Sequence, residues 1–167
     1  MTIRPSEAFV LFYKNNTGPV FRALLAGTLN RAAAEDAAAE AFARAFAGWH
    51  TVANHPNPRA WVLRVAWNYY QSSWRTWEGR WVADPSAAPT PPATEPWVDP
   101  DLVTAIRRLP PGQREVLVLV ALGELTPTET AEVLGKAAST VRGQLSRARV
   151  ALRLALGEAP SPEGHDD

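Results

Sequence analysis

A proline-rich stretch near the middle of the chain constrains its architecture more than any other feature. Residues 84–100 read DPSAAPTPPATEPWVDP and contain six prolines without apolar periodicity. Because proline lacks a backbone N–H and fixes φ, neither a helix nor a central strand continues through such a stretch. We therefore expect an extended linker over residues 81–100 between two folded modules, residues 1–80 and residues 101–157. Residues 158–167 are expected to form a disordered acidic tail.

Charge is unevenly distributed along a chain whose formal net charge is zero. The first module has a balance of +4, the linker −3, the second module +3 and the tail −4. Two basic modules, separated by an acidic linker and followed by an acidic tail, can attract a polyanion, although such a charge balance is also typical of an ordinary solvated surface. The absence of cysteine excludes a disulfide framework, a thiolate zinc site and a cysteine nucleophile. No export signal and no stretch of roughly 18 apolar residues is visible, so we expect a cytoplasmic protein with no membrane contact of its own.

Apolar spacing predicts that the first module is helical throughout. Gly18-Pro19 is expected to separate the first two helices. Glu35 and Asp36 are expected in the first turn of the third helix, where acids suit the helix dipole. The helices are predicted over residues 7–13, 20–29, 33–48 and 58–80, with a loop over residues 50–58.

The second module contains the most informative stretch of the chain, residues 126–154, which predicts a helix-turn-helix. Thr126 and Glu129 have capping-box spacing, and Gly135 suits a turn that needs left-handed backbone. Ser139 is expected to cap the second helix, whose polar face has no acid as far as Arg153. Short side chains and guanidinium groups on such a face fit the major groove of DNA, although the pattern is also compatible with an ordinary amphipathic hairpin. The predicted DNA contacts are Ser139, Thr140, Arg142, Gly143, Ser146, Arg147 and Arg149.

Several short motifs recur together in one known family. Residues 109–111 (LPP), 113–115 (QRE) and 146–149 (SRAR) resemble the entry turn and recognition helix of region 4 of the extracytoplasmic-function (ECF) sigma factors of bacterial RNA polymerase. Residues 35–42 (EDAAAEAF) and 57–68 resemble two helices of region 2. The resemblance is to an actinobacterial-like branch. It implies an all-α fold of two small helical domains, a region 2 bundle and a region 4 helix-turn-helix, joined by the Pro-rich linker.

The resemblance also implies a function, that of a sigma factor that is not an enzyme and needs no cofactor or metal ion. Region 4 would bind the polymerase flap and read the −35 element of promoter DNA. Region 2 would bind the clamp helices of core RNA polymerase through Asp36, Ala39, Glu40, Ala43 and Arg44. It would hold the melted −10 element through Asn54, His55, Asn57, Arg59, Trp61, Arg64, Asn68 and Arg75. An anti-sigma factor is a further partner that the resemblance leaves open.

A few positions depart from the family's pattern. Ala39 stands where glutamine is usual, and Ser72 stands near a usual aspartate. Arg75 and Arg80 replace a dense basic cluster, and fewer phosphate contacts weaken DNA binding. Gly143 stands where a longer side chain often reaches DNA.

Other interpretations remain open at this point. The chain could be a helix-turn-helix regulator whose N-terminal helices dimerise, or a degenerate sigma-like protein that does not initiate transcription. An enzyme finds little support, because the sequence has no Gly-rich phosphate loop and no zinc-protease or nucleophile-elbow motif. The aromatic residues Trp61, Trp67 and Tyr70 could pack in the core or stack on unpaired bases. The sequence does not decide whether the two modules touch.

Overall fold

The computed structural model describes residues 4–74 and 99–157, and all regular structure in these ranges is helical. The first module contains α1 (Pro5–Thr28), α2 (Arg31–Ala47), α3 (Trp49–Val52) and α4 (Pro58–Tyr69), which continues as a π-helical turn, Tyr70–Trp74. The second module contains α5 (Pro100–Arg108), α6 (Pro111–Ala121), α7 (Pro127–Leu134) and α8 (Ala138–Ala155). The predicted all-α fold class is confirmed. Most of the predicted linker, the predicted tail, Arg75 and Arg80 lie outside the described residues.

The first module begins with one continuous helix where two were predicted. α1 passes through Pro19, although a proline inside a helix costs about 3 kcal/mol. Residues on both sides of it belong to one core. Val20 and Leu24 are fully buried, while the rings of Phe9 and Phe12 contact rings of α2 and α3 in tilted arrangements, at centroid distances of 5.0 and 5.1 Å. The predicted break was wrong because burial on both sides of Pro19 outweighs its local cost.

The helix α2 corresponds to the predicted third helix, residues 33–48, and begins earlier than predicted, at Arg31. Asn30 is its N-cap, and the Asn30 Oδ1 atom accepts the backbone N–H of Ala33 at 3.0 Å. Glu35 and Asp36 therefore lie beyond the first turn, and their predicted place was wrong. The predicted loop after α2 is also wrong in part, because α3 occupies its beginning.

The second module follows the predicted helix-turn-helix. The Thr126 N–H donates to Glu129 Oε2 at 2.8 Å, and the Glu129 N–H donates to Thr126 Oγ1 at 3.1 Å, which confirms the capping box. Gly135 has a φ of 63°, the predicted left-handed conformation. The predicted Ser139 cap is wrong, because α8 already begins at Ala138 and has no side-chain cap.

The sequence predicts the helix before this motif over residues 114–122, closed by Gly123, but this helix begins earlier and ends differently. Pro111 occupies the first turn of α6, where a missing N–H breaks no helical hydrogen bond. Leu122 rather than Gly123 is its C-cap. Gly123 is needed for space, since a Cβ there would lie 2.6 Å from the Leu119 carbonyl oxygen.

The two modules pack directly against each other. The larger apolar cluster is built on α1, α2 and α4 and also contains Val118, Leu119, Leu125 and Val133 of the second module. A smaller cluster within the second module contains Leu109, Val116, Leu117, Ala131, Val141, Leu145 and Ala148. The two halves therefore share part of one hydrophobic core.

Gly27, near the end of α1, lies at this junction. A Cβ at Gly27 would lie 2.3 Å from the Trp67 ring of α4 and 3.2 Å from the Val118 side chain of α6. Trp67 is 1% exposed and Tyr70 is 8% exposed, so both pack in the core. The Gly27 carbonyl accepts a hydrogen bond from Arg114 Nε at 3.3 Å. α1 has no basic residue in its last turn, so Arg114 of the second module supplies the cation that a helix C-terminus favours.

Candidate nucleic-acid and polymerase interface

The polar face of α8 is open to solvent in this structure. Val141, Leu145 and Ala148 are buried and fix the opposite side of the helix. A Cβ at Gly143 would lie 3.3 Å from Arg147 Nη2, so the guanidinium of Arg147 lies over the glycine. Six of the predicted contacts are exposed and the seventh, Gly143, is half-buried: Ser139, Thr140, Arg142, Ser146, Arg147 and Arg149 form the exposed set. The structure brings all seven onto one helix, as the spacing predicts.

A polar cluster at the turn between α7 and α8 holds the start of α8 against α6. Lys136 Nζ donates to Gln144 Oε1 at 3.2 Å and lies 3.9 Å from Glu115 Oε2. A Cβ at Gly112 would lie 2.6 Å from Gln144 Nε2, so the start of α6 packs closely on the same amide. Lys136 therefore contacts both α6 and α8, and its positive charge is paired with the carboxylate of Glu115. The exposed arginines of α8 therefore project from a rigid support.

The segment between α3 and α4 is held by its own polar side chains. Asn54 Nδ2 donates to the His50 carbonyl at 2.7 Å. The Asn57 N–H lies 3.0 Å from His55 Nδ1, and Asn57 Oδ1 accepts the Ala60 N–H at 3.2 Å. Asn57 is therefore the N-cap of α4, and its side-chain orientation is fixed. A rigid loop of this kind suits the capture of an unstacked base.

The predicted −10 residues of α4 lie on two different sides of the helix. Trp61, Arg64 and Asn68 share one face within about 60° of rotation, and Arg64 and Asn68 are exposed. Arg59 lies roughly opposite them. The structure thus brings Trp61, Arg64 and Asn68 together and separates Arg59 from them.

Asn57 and Arg59 are engaged by the second module. Asn57 Nδ2 donates to Glu129 Oε1 at 3.0 Å. Arg59 Nη1 pairs with Glu124, and Arg59 Nε donates to Asn16 Oδ1 at 2.6 Å. Arg59 is largely covered, with 20% of its side chain exposed, whereas Glu124 is 67% exposed. Two predicted −10 contacts therefore have carboxylate partners within the chain.

The carboxylate of Glu129 serves two helices at once. One oxygen closes the capping box of α7, and the other accepts from Asn57 of α4. The hydrogen bond from Asn57, followed by that from the Thr126 backbone, lowers the pKa of Glu129 below its ordinary value. The nearby His55 acts in the same direction. Glu129 is therefore held as a carboxylate at the contact between the modules.

The predicted polymerase-binding residues form one exposed face of α2. Asp36, Ala39, Ala43 and Arg44 are exposed and Glu40 is half-buried. Two polar contacts hold charges of this face in place. Arg44 Nε donates to Glu40 Oε1 at 2.8 Å, and the Tyr69 hydroxyl of α4 donates to Asp36 Oδ2 at 2.9 Å. That hydrogen bond to Asp36 raises the pKa of Tyr69.

Sequence patterns do not reveal the roles of three residues in these contacts. The sequence identifies Glu129 only as a cap, gives no signal for Glu124, and does not connect Tyr69 to Asp36. Capping spacing identifies partners within one turn, whereas Glu124 and Arg59 are 65 residues apart. No local pattern could have found that pair.

The described residues provide neither a metal site nor a membrane-spanning helix. Within residues 4–74 and 99–157, no group of three or more His, Asp or Glu side chains could hold a metal ion. None of the helices in those ranges combines the length and apolarity that crossing a bilayer requires.

Two family models match most of the chain. The model described as Sigma-70 region 2 matches residues 12–80, and the model described as Sigma-70, region 4 matches residues 101–152. The boundary between the two matches coincides with the Pro-rich stretch.

Individual relatives extend this similarity across both modules. The RNA polymerase sigma-E factor of Streptomyces coelicolor is 32% identical over 123 residues, which is 72% of this chain and 70% of that protein. The sigma-E factor of Streptomyces antibioticus is 32% identical over 126 residues, 72% of this chain and 68% of that protein.

Solved structures share the fold. The sigma factor RpoE, in complex with the anti-sigma factor NepR from Bartonella quintana, has a TM-score of 0.74 and 23% identity, covering 90% of this chain and 97% of that one. CnrH, in complex with the cytosolic domain of CnrY, has a TM-score of 0.60 and 21% identity, covering 91% and 89%.

Proposed function

We propose, from the premise that this chain belongs to the sigma-70 family as an ECF sigma factor, that its modules contact one promoter at two places while bound to core RNA polymerase. In this role the second module, region 4, binds the −35 element as duplex and the polymerase flap. The first module, region 2, binds the clamp helices and the melted −10 element. The protein acts in the cytoplasm, performs no catalysis of its own, and is a candidate for control by an anti-sigma factor.

The exposed basic face of α8 is the observation that carries this proposal. Its guanidinium groups lie on the face opposite the buried hydrophobic side of the helix, and residues 139–153 contain no acidic residue. Arginine forks match phosphates and guanine edges, and a helix of this kind enters the major groove. Gly143 leaves room for close approach to DNA, with Arg147 beside it.

The exposed face of α2 supports the polymerase-binding role. Its charged groups are held by Tyr69 and by the Glu40–Arg44 pair before any partner arrives. Preorganised charges lose less conformational freedom on binding. Ala39, which stands where the family usually has glutamine, leaves this face with one polar group fewer.

Run-off transcription with core RNA polymerase on genomic fragments tests the function as a whole. We expect transcripts that depend on the added chain, together with co-elution of the chain and core polymerase in size exclusion. Co-elution without transcripts would favour a degenerate sigma-like protein. Failure to co-elute would favour the helix-turn-helix regulator.

A pair of variants tests the α2 face. Asp36→Arg reverses a charge on this face, and we expect it to abolish co-elution with core polymerase. It also removes the hydrogen bond from Tyr69, so Tyr69→Phe, which removes the same bond and keeps the carboxylate, is the matched control. Equal co-elution of the two variants would disprove the polymerase contact at Asp36.

A further inference from the structure

We propose that the exposed side of the first half of α1 binds a second copy of this chain, as an antiparallel pair of helices about a two-fold axis. The axis passes between Val10 and Leu11, and the pairing brings Glu7 of each copy to Lys14 of the other. We call these four residues the α1 stripe. The inference goes beyond the proposed function, because the stripe belongs neither to the polar face of α8 nor to the charged face of α2.

Large apolar side chains are exposed mainly at one end of the first module. Among the residues that the structure describes, Val10, Leu11, Tyr13 and Phe46 are large, apolar and exposed, and the others of this kind lie at the C-terminal end of α8. Val10 is 48% exposed and Leu11 is 55% exposed. Single exposed apolar side chains are ordinary on a protein surface, whereas a contiguous group indicates contact with another molecule.

The α1 stripe lies on one side of its helix. At about 100° of rotation per residue, its four side chains fall within about 100° of one another, and all four are exposed. Phe9 and Phe12 lie on the opposite side, where their rings contact α2 and α3. A shallow depression in the surface is lined by the stripe and by Ser6. The core therefore fixes the orientation of α1 and leaves the stripe available to another molecule.

The order of side chains along the stripe is self-complementary. Glu7 precedes Val10 by three residues, and Lys14 follows Leu11 by three residues. In a two-fold interface, each residue that meets a second residue is met by it in return. An axis between Val10 and Leu11 therefore places these two side chains against each other across the interface. The same axis places Glu7 against Lys14 at both ends of the contact.

The two charged groups of the stripe can bind across such an interface. Lys14 forms no ion pair with any residue in the parts of the chain that the structure describes. Glu7 Oε2 accepts the Arg4 N–H at 3.3 Å, and 61% of the Glu7 side chain is exposed. An ionised carboxylate has acceptor sites for further donors. The charge pattern therefore favours a second copy as the occupant of the stripe.

The size of the stripe predicts a weak and reversible dimer. Two turns of helix from each copy bury less than the roughly 800 Å² per partner of a standard interface. Tyr13 and Phe46 extend the apolar surface beside the stripe, since both contact the ring of Phe9. We therefore expect the dimer to form as the concentration of the chain rises. Sedimentation equilibrium of the full chain measures its dissociation constant.

Reversal of charge tests the antiparallel register. Glu7→Lys and Lys14→Glu each bring like charges together at both ends of the contact, so each variant alone should dimerise about tenfold more weakly. An equal mixture of the two variants should associate as tightly as the unsubstituted chain, because both ends of the mixed dimer then pair opposite charges. Nonspecific adhesion of apolar surfaces does not produce this recovery.

Each outcome of the mixing experiment decides the register. Lys14→Glu leaves the hydrogen bond between Glu7 and Arg4 intact, and circular dichroism verifies that Glu7→Lys keeps its helix content. Unchanged dimerisation of Lys14→Glu would disprove the pairing without recourse to the other variant. A mixture that associates no better than its two components would disprove it as well.

A substitution of the apolar centre tests the stripe independently of its charges. Leu11→Asp should weaken dimerisation by more than tenfold, because it places two carboxylates next to each other in an apolar contact. Leu154→Asp is the matched control, since Leu154 is 62% exposed on α8 and the chemical change is the same. It should leave the dissociation constant unchanged. Equal weakening by the two variants would remove the stripe from the interface.

Co-elution with core polymerase distinguishes a second copy from another occupant. Leu11→Asp should co-elute with core polymerase as the unsubstituted chain does, because the charged face of α2 is intact. A chain that stays monomeric up to about 0.5 mM would overturn the dimer. Loss of co-elution in Leu11→Asp alone would assign the stripe to the polymerase instead. Failure of the unsubstituted chain to co-elute contradicts only the proposed function, since dimerisation is measured without polymerase.

Discussion

The two predicted DNA-binding surfaces differ in how much of each is engaged within the chain. On the second module, α8 exposes its arginines on a supported helix. On the first, Asn57 and Arg59 are held by carboxylates of the second module. The surface assigned to duplex DNA is exposed, whereas the surface assigned to unpaired DNA is engaged at Asn57 and Arg59 and exposed at Arg64 and Asn68. The difference arises because the second module packs against the first where Asn57 and Arg59 lie and leaves the polar face of α8 uncovered.

The largest expected effect comes from breaking the junction between the modules. Gly27→Val places atoms where Trp67 and Val118 already lie, and we expect a loss of about 2–3 kcal/mol in the free energy of unfolding in urea. Gly18→Ala is the control on the same helix, since a Cβ there meets only the Arg22 guanidinium, at 3.4 Å. It should stabilise the chain by about 0.5 kcal/mol. Equal stability of the two variants would show that Gly27 is not tightly packed.

The next largest effect tests whether the exposed face of α8 binds duplex DNA. Arg147→Ala should weaken binding to −35 duplex by about 2 kcal/mol, as loss of a guanidinium contact to DNA does, while association with core polymerase is unchanged. Arg108→Ala, at an exposed arginine of α5, removes the same charge away from the α8 face. A salt titration of duplex affinity measures both. If they weaken binding equally, α8 is not the recognition helix.

A smaller effect on the free energy of unfolding is expected from substitutions at the N-terminal ends of one helix in each module. Asn30→Ala removes the cap of α2 and should lower the free energy of unfolding by about 1 kcal/mol. Ser139→Ala removes no cap from α8 and should leave stability within about 0.5 kcal/mol. Thermal unfolding of both variants tests the difference. A larger loss for Ser139→Ala would mean that the hydroxyl caps α8 after all.

The smallest expected effect is on the pH dependence of the contact between the modules. Because the hydrogen bonds from Asn57 and from the Thr126 backbone lower the pKa of Glu129, the stabilisation by these bonds is complete above the ordinary pKa of a glutamate and is lost as the pH falls through the lowered value. The free energy of unfolding in urea should therefore decline in this acidic range. Glu129→Gln should show a flatter profile, and identical profiles would remove Glu129 from the contact.

Local patterns were enough to predict the parts of this protein that depend on neighbouring residues. The capping box of Thr126 and Glu129, the left-handed Gly135 and the acid-free face of α8 were all predicted, because each depends on contacts within a turn or two of helix. The sigma-70 motifs were recognisable for the same reason. The division into two modules remains a prediction from the prolines, which act through their own backbone.

Only the tertiary structure decided how the two modules meet. Pro19 is tolerated because one core holds both sides of it, and Gly27 is required because Trp67 and Val118 converge on it. Asn57 and Glu129 are 72 residues apart, and Gly27 and Arg114 are 87 apart. Such pairs carry no periodic signal, because packing of apolar surface brings them together and their hydrogen bonds form only afterwards.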